Sequence, residues 1–187
     1  MKLKNTLRFV LILGMLFSLQ ENAIGQKTNT GWKKELNKQL QLLGHRNWIL
    51  IVDAAYPLQS NPAINTVATG ADHLSVVKEV LAAVDNAPHV APRIFLDKEL
   101  DFVSADEAPG IEEYKEKLTG MLGKQTPEKM PHEEIIYMID EAAEIFSVLV
   151  LKTNFTIPYT SVFINLDCGY WTPEQEKKLR ESMPDNY

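Results

Sequence analysis

The 187-residue chain has a single cysteine and no excess of positive charge. One cysteine excludes an internal disulfide, and we interpret Cys168 as a buried apolar residue of a C-terminal strand rather than a nucleophile or metal ligand. Zinc-ligand spacings, glycine-rich phosphate loops and nucleophile elbows are all missing. A net charge of −6 without a basic cluster argues against nucleic acid and anionic membranes as partners. Neutral or cationic partners remain open.

The chain also lacks a hydrophobic run long enough to span a membrane comfortably. The longest, residues 9–19, follows a basic start and precedes small residues at 23–25. This pattern predicts a secretory signal peptide over residues 1–25, cut near Gly25/Gln26, with an uncleaved membrane anchor as the alternative. Residues 26–187 then form one domain, which we expect in the periplasm or outside the cell, without membrane contact.

Hydrophobic periodicity alternates between helical and strand-like segments, which predicts an α/β fold. The predicted helices cover residues 30–43, 71–85, 112–122 and 132–143. The predicted strands cover residues 48–52, 91–96, 146–152 and 161–166, and we expect loops at 54–66 and 123–131. Thr172 and Pro173 have the residue types of an N-cap and first helical position, so residues 172–187 are predicted to form a helical extension.

The most informative stretch surrounds the strand predicted at 48–52. Gly44 and His45 precede this strand, and Asp53 follows it, with Pro57 shortly after. His45 is a candidate acid or base, or else a cap for the preceding helix, which Gly44 is expected to end. Asp53 is a candidate ligand contact, or else a turn-forming residue. Because they lie at opposite ends of one strand, they can share a pocket only if the chain or a neighbouring subunit folds back.

These residues resemble the signature of the D-ribose pyranase / L-fucose mutarotase family, in which Gly-His precedes a hydrophobic strand and Asp-Ala-x-x-Pro follows it. The corresponding positions here are Gly44-His45 and Asp53-Ala54, with Pro57. Residues 158–164 are similar to the family's closing Tyr-x-Asn and strand, with Gly169 after it, and His132-Glu133 is similar to a pair in the pyranase branch. The resemblance covers roughly residues 36–171.

The resemblance implies a three-layer α/β/α sandwich with a mixed, mostly parallel central sheet, and a sugar mutarotase or pyranase activity that needs no cofactor and no metal. By this resemblance, His45 and Asp53 are catalytic, and Asp53, His132, Tyr159 and Ser161 bind a monosaccharide. It also implies a homo-oligomer, a decameric ring or a smaller one, with sites built across subunit contacts. Two features depart from the family: Ser161 stands where the family has Asn, and the familiar members are not exported.

Each of the remaining assignments has a simpler alternative. His132 can be an ordinary polar residue in the first turn of a helix, and Tyr159 and Ser161 can lie at a strand edge without a pocket. Two other functional classes therefore stay open: a non-catalytic periplasmic carbohydrate-binding protein, and a ring-forming structural protein without a ligand.

Overall fold

A fully buried strand, β1 (Trp48–Val52), lies inside a six-stranded sheet in the computed structural model, which describes residues 31–123 and 125–184. The other strands are β2 (Ile64–Ala68), β3 (Val90–Asp97), β4 (Glu128–Met130), β5 (Val148–Lys152) and β6 (Val162–Cys168). The helices are α1 (Gly31–Leu40), α2 (His73–Asp85), α3 (Ile111–Leu122), α4 (His132–Ala143) and α5 (Pro173–Glu181), and a 3-10 helix spans Lys98–Phe102. The predicted signal peptide lies outside the described residues.

The sheet is mixed, with strand order β2-β5-β1-β6-β3-β4. The β2–β5, β1–β5 and β3–β4 pairs are parallel, whereas β6 runs antiparallel to both β1 and β3. The carboxyl ends of the other five strands therefore meet at one edge, together with the amino end of β6. This arrangement brings the residues after β1, at the end of β3 and before β6 to the same side of the molecule.

Both faces of the sheet are covered, which confirms the three-layer α/β/α prediction. Ile49 and Ile51 of β1 face a core formed with α1, α2 and α3, whereas Leu50 and Val52 face a second core formed with α4. Side chains alternate between the faces of a strand, so a strand covered on both sides must be apolar throughout. Burial of each such side chain contributes about 1.5–3 kcal/mol.

Helix α1 ends four residues before Gly44, so the predicted cap at Gly44 is wrong. Gly44 is not in the left-handed region, which Arg46 adopts instead with a φ of 77°. The Gly44 N–H donates to Asn47 Oδ1 at 2.7 Å, which closes the turn into β1. His89 bonds the last carbonyl of α1 and a carbonyl in the turn that follows: its Nε2 lies 3.0 Å from Leu40 O and 3.2 Å from Leu43 O.

Two edge strands, β2 and β4, occupy part of the segments predicted as loops at 54–66 and 123–131. Only the first residue of β2 is buried, and β4 has three residues that are exposed or half-buried. Neither segment therefore shows strand periodicity, and each becomes a strand by pairing with a partner distant in sequence, β5 or β3.

Local signals at two helix starts agree with the structure. Asp72 caps α2 by accepting a hydrogen bond from the Ser75 N–H at 2.9 Å. Thr172 and Gln175 form a reciprocal capping box at the start of α5, with Pro173 as its first residue. None of the helices within the described part of the chain is both long enough and apolar enough to cross a membrane.

Candidate functional site

A pocket of about 280 Å³ opens at the edge of the sheet where the carboxyl ends of β1 and β3 meet the amino end of β6. It brings together four of the five predicted site residues: Asp53, His132, Tyr159 and Ser161. Tyr56 and Asp97 also contribute to its wall. The carboxyl edge of an open α/β sheet is the usual location for ligand binding, and the polar groups converge there.

A larger groove of about 480 Å³ runs between α1 and the end of α2, on another part of the surface. It is more open, and its only histidine, His89, is already bonded to the last carbonyl of α1 and a carbonyl in the turn that follows. The smaller pocket is therefore the better candidate, because its titratable groups are not all engaged in structural contacts.

Asp53 forms the turn considered for it from the sequence, and its contact with a ligand stays a prediction. Its Oδ1 accepts hydrogen bonds from the Ala55 N–H at 2.7 Å and the Tyr56 N–H at 3.0 Å, which makes it a turn-forming residue. It also lines the pocket. An ionised carboxylate has about four acceptor positions, so two backbone donors leave capacity for ligand hydroxyls.

His132 lies at the first position of α4, and its imidazole contacts a buried carboxylate. His132 Nδ1 is 3.0 Å from Asp97 Oδ1, and the Asp97 side chain is fully buried. The hydrogen bond and the charge of Asp97 raise the pKa of His132, with smaller contributions from the charges of Glu133 and Glu99. Burial raises the pKa of Asp97 above its usual range, although His132 opposes this effect. The two side chains therefore form a coupled acid–base pair at the pocket.

Tyr159 and Ser161 belong to the segment that connects β5 to β6. Tyr159 has a φ of 58°, in the left-handed region that residues other than glycine rarely adopt. Its ring meets the His132 ring edge-on, with centroids 5.9 Å apart, and the residue is 40% exposed. Ser161 is buried directly before β6. Both line the pocket, so the alternative of a strand edge without a pocket is wrong.

Aromatic side chains of α2 and α3 pack against this connecting segment. The ring of His73 stacks on Phe155, and the ring of Tyr114 also packs against Phe155. The Tyr114 hydroxyl donates to Thr160 O at 2.6 Å, and Thr160 Oγ1 donates to Ile157 O. Burial lowers the pKa of His73 to about 4. His73 is therefore neutral at physiological pH, and it packs as an aromatic ring.

His45 lies at the opposite edge of the sheet, before the amino end of β1. Its Nε2 is 3.3 Å from Asp167 Oδ1, and both side chains are about half exposed. It does not line the pocket that contains Asp53 in the same chain. It does not cap α1 either, since His89 bonds the last carbonyl of that helix. The catalytic role of His45 stays a prediction, because His45 could reach the pocket that contains Asp53 only from a second copy of the chain.

Two carboxylates that the sequence interpretation did not identify are Asp97, which lines the pocket, and Glu99, which bonds the backbone of His132. Asp97 ends β3, and both Glu99 oxygens accept from the His132 N–H, at 3.1 and 3.0 Å. The available signal was the acidic residue directly after the strand predicted at 91–96, because ligands bind beyond the carboxyl ends of strands. Cys168, expected to be buried, is half-buried at the end of β6.

No three His, Cys, Asp or Glu side chains in residues 31–123 and 125–184 are arranged to hold a metal ion. The polar groups of the pocket are instead a carboxylate at Asp53, the Asp97–His132 pair, and the hydroxyls of Tyr159 and Ser161. Such a set can exchange protons and hydrogen bonds with a small polyhydroxylated molecule.

The model of the RbsD / FucU transport protein family matches residues 27–169. Helix α5 lies beyond the matched region. No curated protein matches this sequence.

Three solved structures illustrate the similarity. Bacillus subtilis RbsD complexed with D-ribose is 20% identical, with a TM-score of 0.48, and the match covers 74% of this chain and 93% of that one. FucU from Bifidobacterium longum is 18% identical, with a TM-score of 0.49 and coverage of 74% and 96%. The fucose mutarotase of Streptococcus pneumoniae in complex with L-fucose is 21% identical, with a TM-score of 0.49 and coverage of 74% and 93%.

Proposed function

This chain belongs to the RbsD / FucU transport protein family, and on that premise we propose that it is a cofactor-independent monosaccharide mutarotase or pyranase. The observation that carries this proposal is the convergence of Asp53, His132, Tyr159 and Ser161 on one pocket at the carboxyl edge of the sheet. These residues come from three separate segments of the chain.

The chemistry needs only two proton transfers. A base removes the proton of the anomeric hydroxyl, an acid protonates the ring oxygen, and the bond between C1 and the ring oxygen breaks to give the open-chain carbonyl form. Closure on the other face of the carbonyl gives the other anomer, and closure through another hydroxyl gives the other ring size. Histidine is the usual acid or base for such transfers near neutral pH, and Asp53 would orient the sugar hydroxyls.

The pocket favours an uncharged sugar. Asp53, Asp97 and Glu133 are acidic, and no lysine or arginine is among the described residues that line it. A phosphate or carboxylate on the sugar would meet like charges, and the imidazolium of His132 is already paired with Asp97, so an anionic group is unfavourable in this partly desolvated site. The substrate class is therefore a free, neutral monosaccharide.

We assign the removal of the anomeric proton to His45 of a second copy of the chain. Within one copy His45 and Asp53 lie at opposite ends of β1, so they can share a pocket only across a subunit contact. The His45→Ala and Asp53→Asn variants test this directly. Each alone is expected to be inactive, whereas reassembly of their mixture would restore about a quarter of the sites in a closed oligomer.

The activity is measured by NMR saturation transfer between anomers, with ribose, fucose, galactose and glucose as the panel. Exchange above the uncatalysed rate with at least one sugar, lost in Asp53→Asn and kept in Asp85→Asn, is the expected result. Asp85 is a suitable control because it lies exposed at the end of α2. Equal loss in both variants, or no exchange with any sugar, would contradict the proposal.

Ser161 favours a second candidate, a periplasmic protein that binds carbohydrate without catalysis. A buried serine hydroxyl offers fewer donors and acceptors than the asparagine amide of the resembling family, so substrate orientation is less constrained. Calorimetry separates the two candidates: sugar binding without exchange supports the binding protein. In that case Ser161→Asn is the first variant to test for gained exchange.

We also propose that residues 1–25 direct export and that residues 26–187 act in the periplasm or outside the cell as one domain, with α5 as an added helix. Cell fractionation and N-terminal sequencing test this proposal. A mature protein that begins near Gln26 is expected, and retention of the apolar segment would instead indicate a membrane anchor.

A further inference from the structure

The Asp97 carboxyl is a buried charge-bearing group with only one of its oxygens engaged. Oδ1 is 3.0 Å from His132 Nδ1, whereas the buried Oδ2 has no hydrogen-bond partner among the described residues. Asp97 lines the same pocket as Asp53 and Tyr159. A buried, unpaired carboxylate oxygen is costly, so its position at a ligand pocket indicates that a ligand donor completes it.

The engaged oxygen, Asp97 Oδ1, determines which nitrogen of the His132 imidazole carries a proton. A carboxylate oxygen can only accept, so His132 Nδ1 must carry the proton of this contact whenever Asp97 is ionised. The second ring nitrogen, Nε2, makes no hydrogen bond within residues 31–123 and 125–184. His132 also lines the pocket, and its side chain is 30% exposed, so Nε2 is the nitrogen left for a ligand.

We propose that Asp97 contacts the sugar through Oδ2 and, through Oδ1, holds His132 as the imidazolium that acts as general acid toward the ring oxygen. The inference rests on the proposed function and adds two residue roles to it. Asp97 is a binding and positioning residue, and His132 is a catalytic residue.

Ring opening requires two proton transfers and the cleavage of one bond. His132 Nε2 gives its proton to the ring oxygen, which receives the electron pair of the breaking bond to C1. The anomeric hydroxyl gives its proton to a base, His45 of a second copy or a water molecule, and the carbonyl forms at C1. Ring closure returns both protons, so the enzyme ends in its starting state.

Several charged groups surround His132 and decide its protonation. Asp97 faces it from β3 and Glu99 from the 3-10 helix, while Glu133 lies beside it on α4. Asp53 acts on Asp97 from the end of β1, and the ring of Tyr159 lies against the imidazole. The position of His132 at the amino end of α4 disfavours a cation, since the helix dipole is positive there. The surrounding carboxylates outweigh that effect, with Asp97 as the largest contribution to the raised pKa.

The test compares Asp97→Asn with the wild-type protein and with Asp101→Asn as matched control. Asparagine keeps the size of the side chain and removes its charge. Asp101 lies nearby on the 3-10 helix, but it is partly exposed and paired with Lys129. Three quantities are measured: the His132 pKa by NMR titration, sugar affinity by calorimetry, and the pH profile of anomer exchange.

In Asp97→Asn, we expect the His132 pKa to fall toward about 6.5 and sugar affinity to fall about tenfold or more. The alkaline limb of the exchange profile should move to lower pH together with the His132 pKa. The control should leave all three quantities unchanged. If the wild-type protein exchanges anomers but Asp97→Asn leaves the His132 pKa or the sugar affinity unchanged, the inference is overturned and the proposed function stands. Absence of exchange in the wild-type protein would overturn the proposed function and the acid role together.

A second measurement covers the case in which Asp97→Asn does not fold. In the wild-type protein, the carboxyl carbon of Asp97 should shift on addition of the exchanging sugar. The His132 ring should also titrate above its ordinary range, with Nδ1 protonated throughout. A carboxyl resonance that does not respond to the sugar would refute the contact.

Discussion

Tyr159 is predicted to be a strained residue, so that its glycine variant is more stable than its alanine variant. Its φ of 58° lies in the left-handed region, which costs a residue with a Cβ about 1–2 kcal/mol. Tyr159→Ala removes the partly exposed ring and keeps this cost, whereas Tyr159→Gly removes both. Glycine also loses about 0.5–1 kcal/mol through the greater entropy of its unfolded chain. The glycine variant should therefore be more stable than the alanine variant by about 0.5–1 kcal/mol.

The comparison is made by urea unfolding and by thermal melting, where the expected gap corresponds to about 1–4 °C for a domain of this size. Arg46, with a φ of 77°, should show the same order of glycine above alanine. Leu58, exposed in a loop and outside the left-handed region, should show the reverse order. If glycine is less stable than alanine at Tyr159, as at Leu58, backbone strain is not stored there.

Three further predictions concern packing, the support of the pocket and pH. Gly169→Ala would put a Cβ 2.6 Å from a backbone carbonyl oxygen of β3 and should lower the free energy of unfolding by about 1–3 kcal/mol. Gly120→Ala on α3 has open space around the added Cβ and should raise the free energy of unfolding by about 1 kcal/mol. Urea unfolding measures both variants, and equal effects would contradict this prediction. Tyr114→Phe removes the 2.6 Å hydrogen bond to Thr160 O, so the free energy of unfolding should fall by about 1–2 kcal/mol and sugar binding should weaken. Urea unfolding measures the stability and calorimetry measures the affinity. An unchanged affinity would show that this hydrogen bond does not support the pocket. The pKa of His132 is raised in the folded state, so its ion pair stabilises the fold fully below the unfolded pKa of about 6.5, and this stabilisation is lost as the pH rises through the folded pKa. The difference in unfolding free energy between the wild-type protein and His132→Gln should therefore be larger at about pH 6 than at about pH 9. A difference that does not change with pH would refute the ion pair.

The parts of the fold that the sequence predicted depend on residues close together in the chain. The bounds of β1 agree with the predicted 48–52, because five consecutive apolar residues are typical of a strand buried on both faces. The start of α5 was visible in Thr172, because its cap involves a partner only three residues away. Strands β2 and β4 were not visible, because they are short edge strands with little burial.

The residues of the candidate site could be named from the sequence, but their convergence on one pocket depends on the fold. Asp53, His132, Tyr159 and Ser161 were identified through resemblance to family motifs, and one pocket contains them all. Whether these assignments hold in catalysis remains a prediction.

By itself, the sequence determined the α/β class, the apolar central strand and the capped helix starts, since periodicity and capping depend on neighbours within a few residues. Only the tertiary structure decided that Asp97 joins His132, that His45 lies away from Asp53, and that His89 rather than Gly44 completes the end of α1. These outcomes depend on strand order and burial, which bring together groups far apart in the chain, such as His89 and Leu40 at a separation of 49 residues. The desolvation that raises the pKa of Asp97 is likewise a property of the packed sheet edge, and no local pattern encodes it.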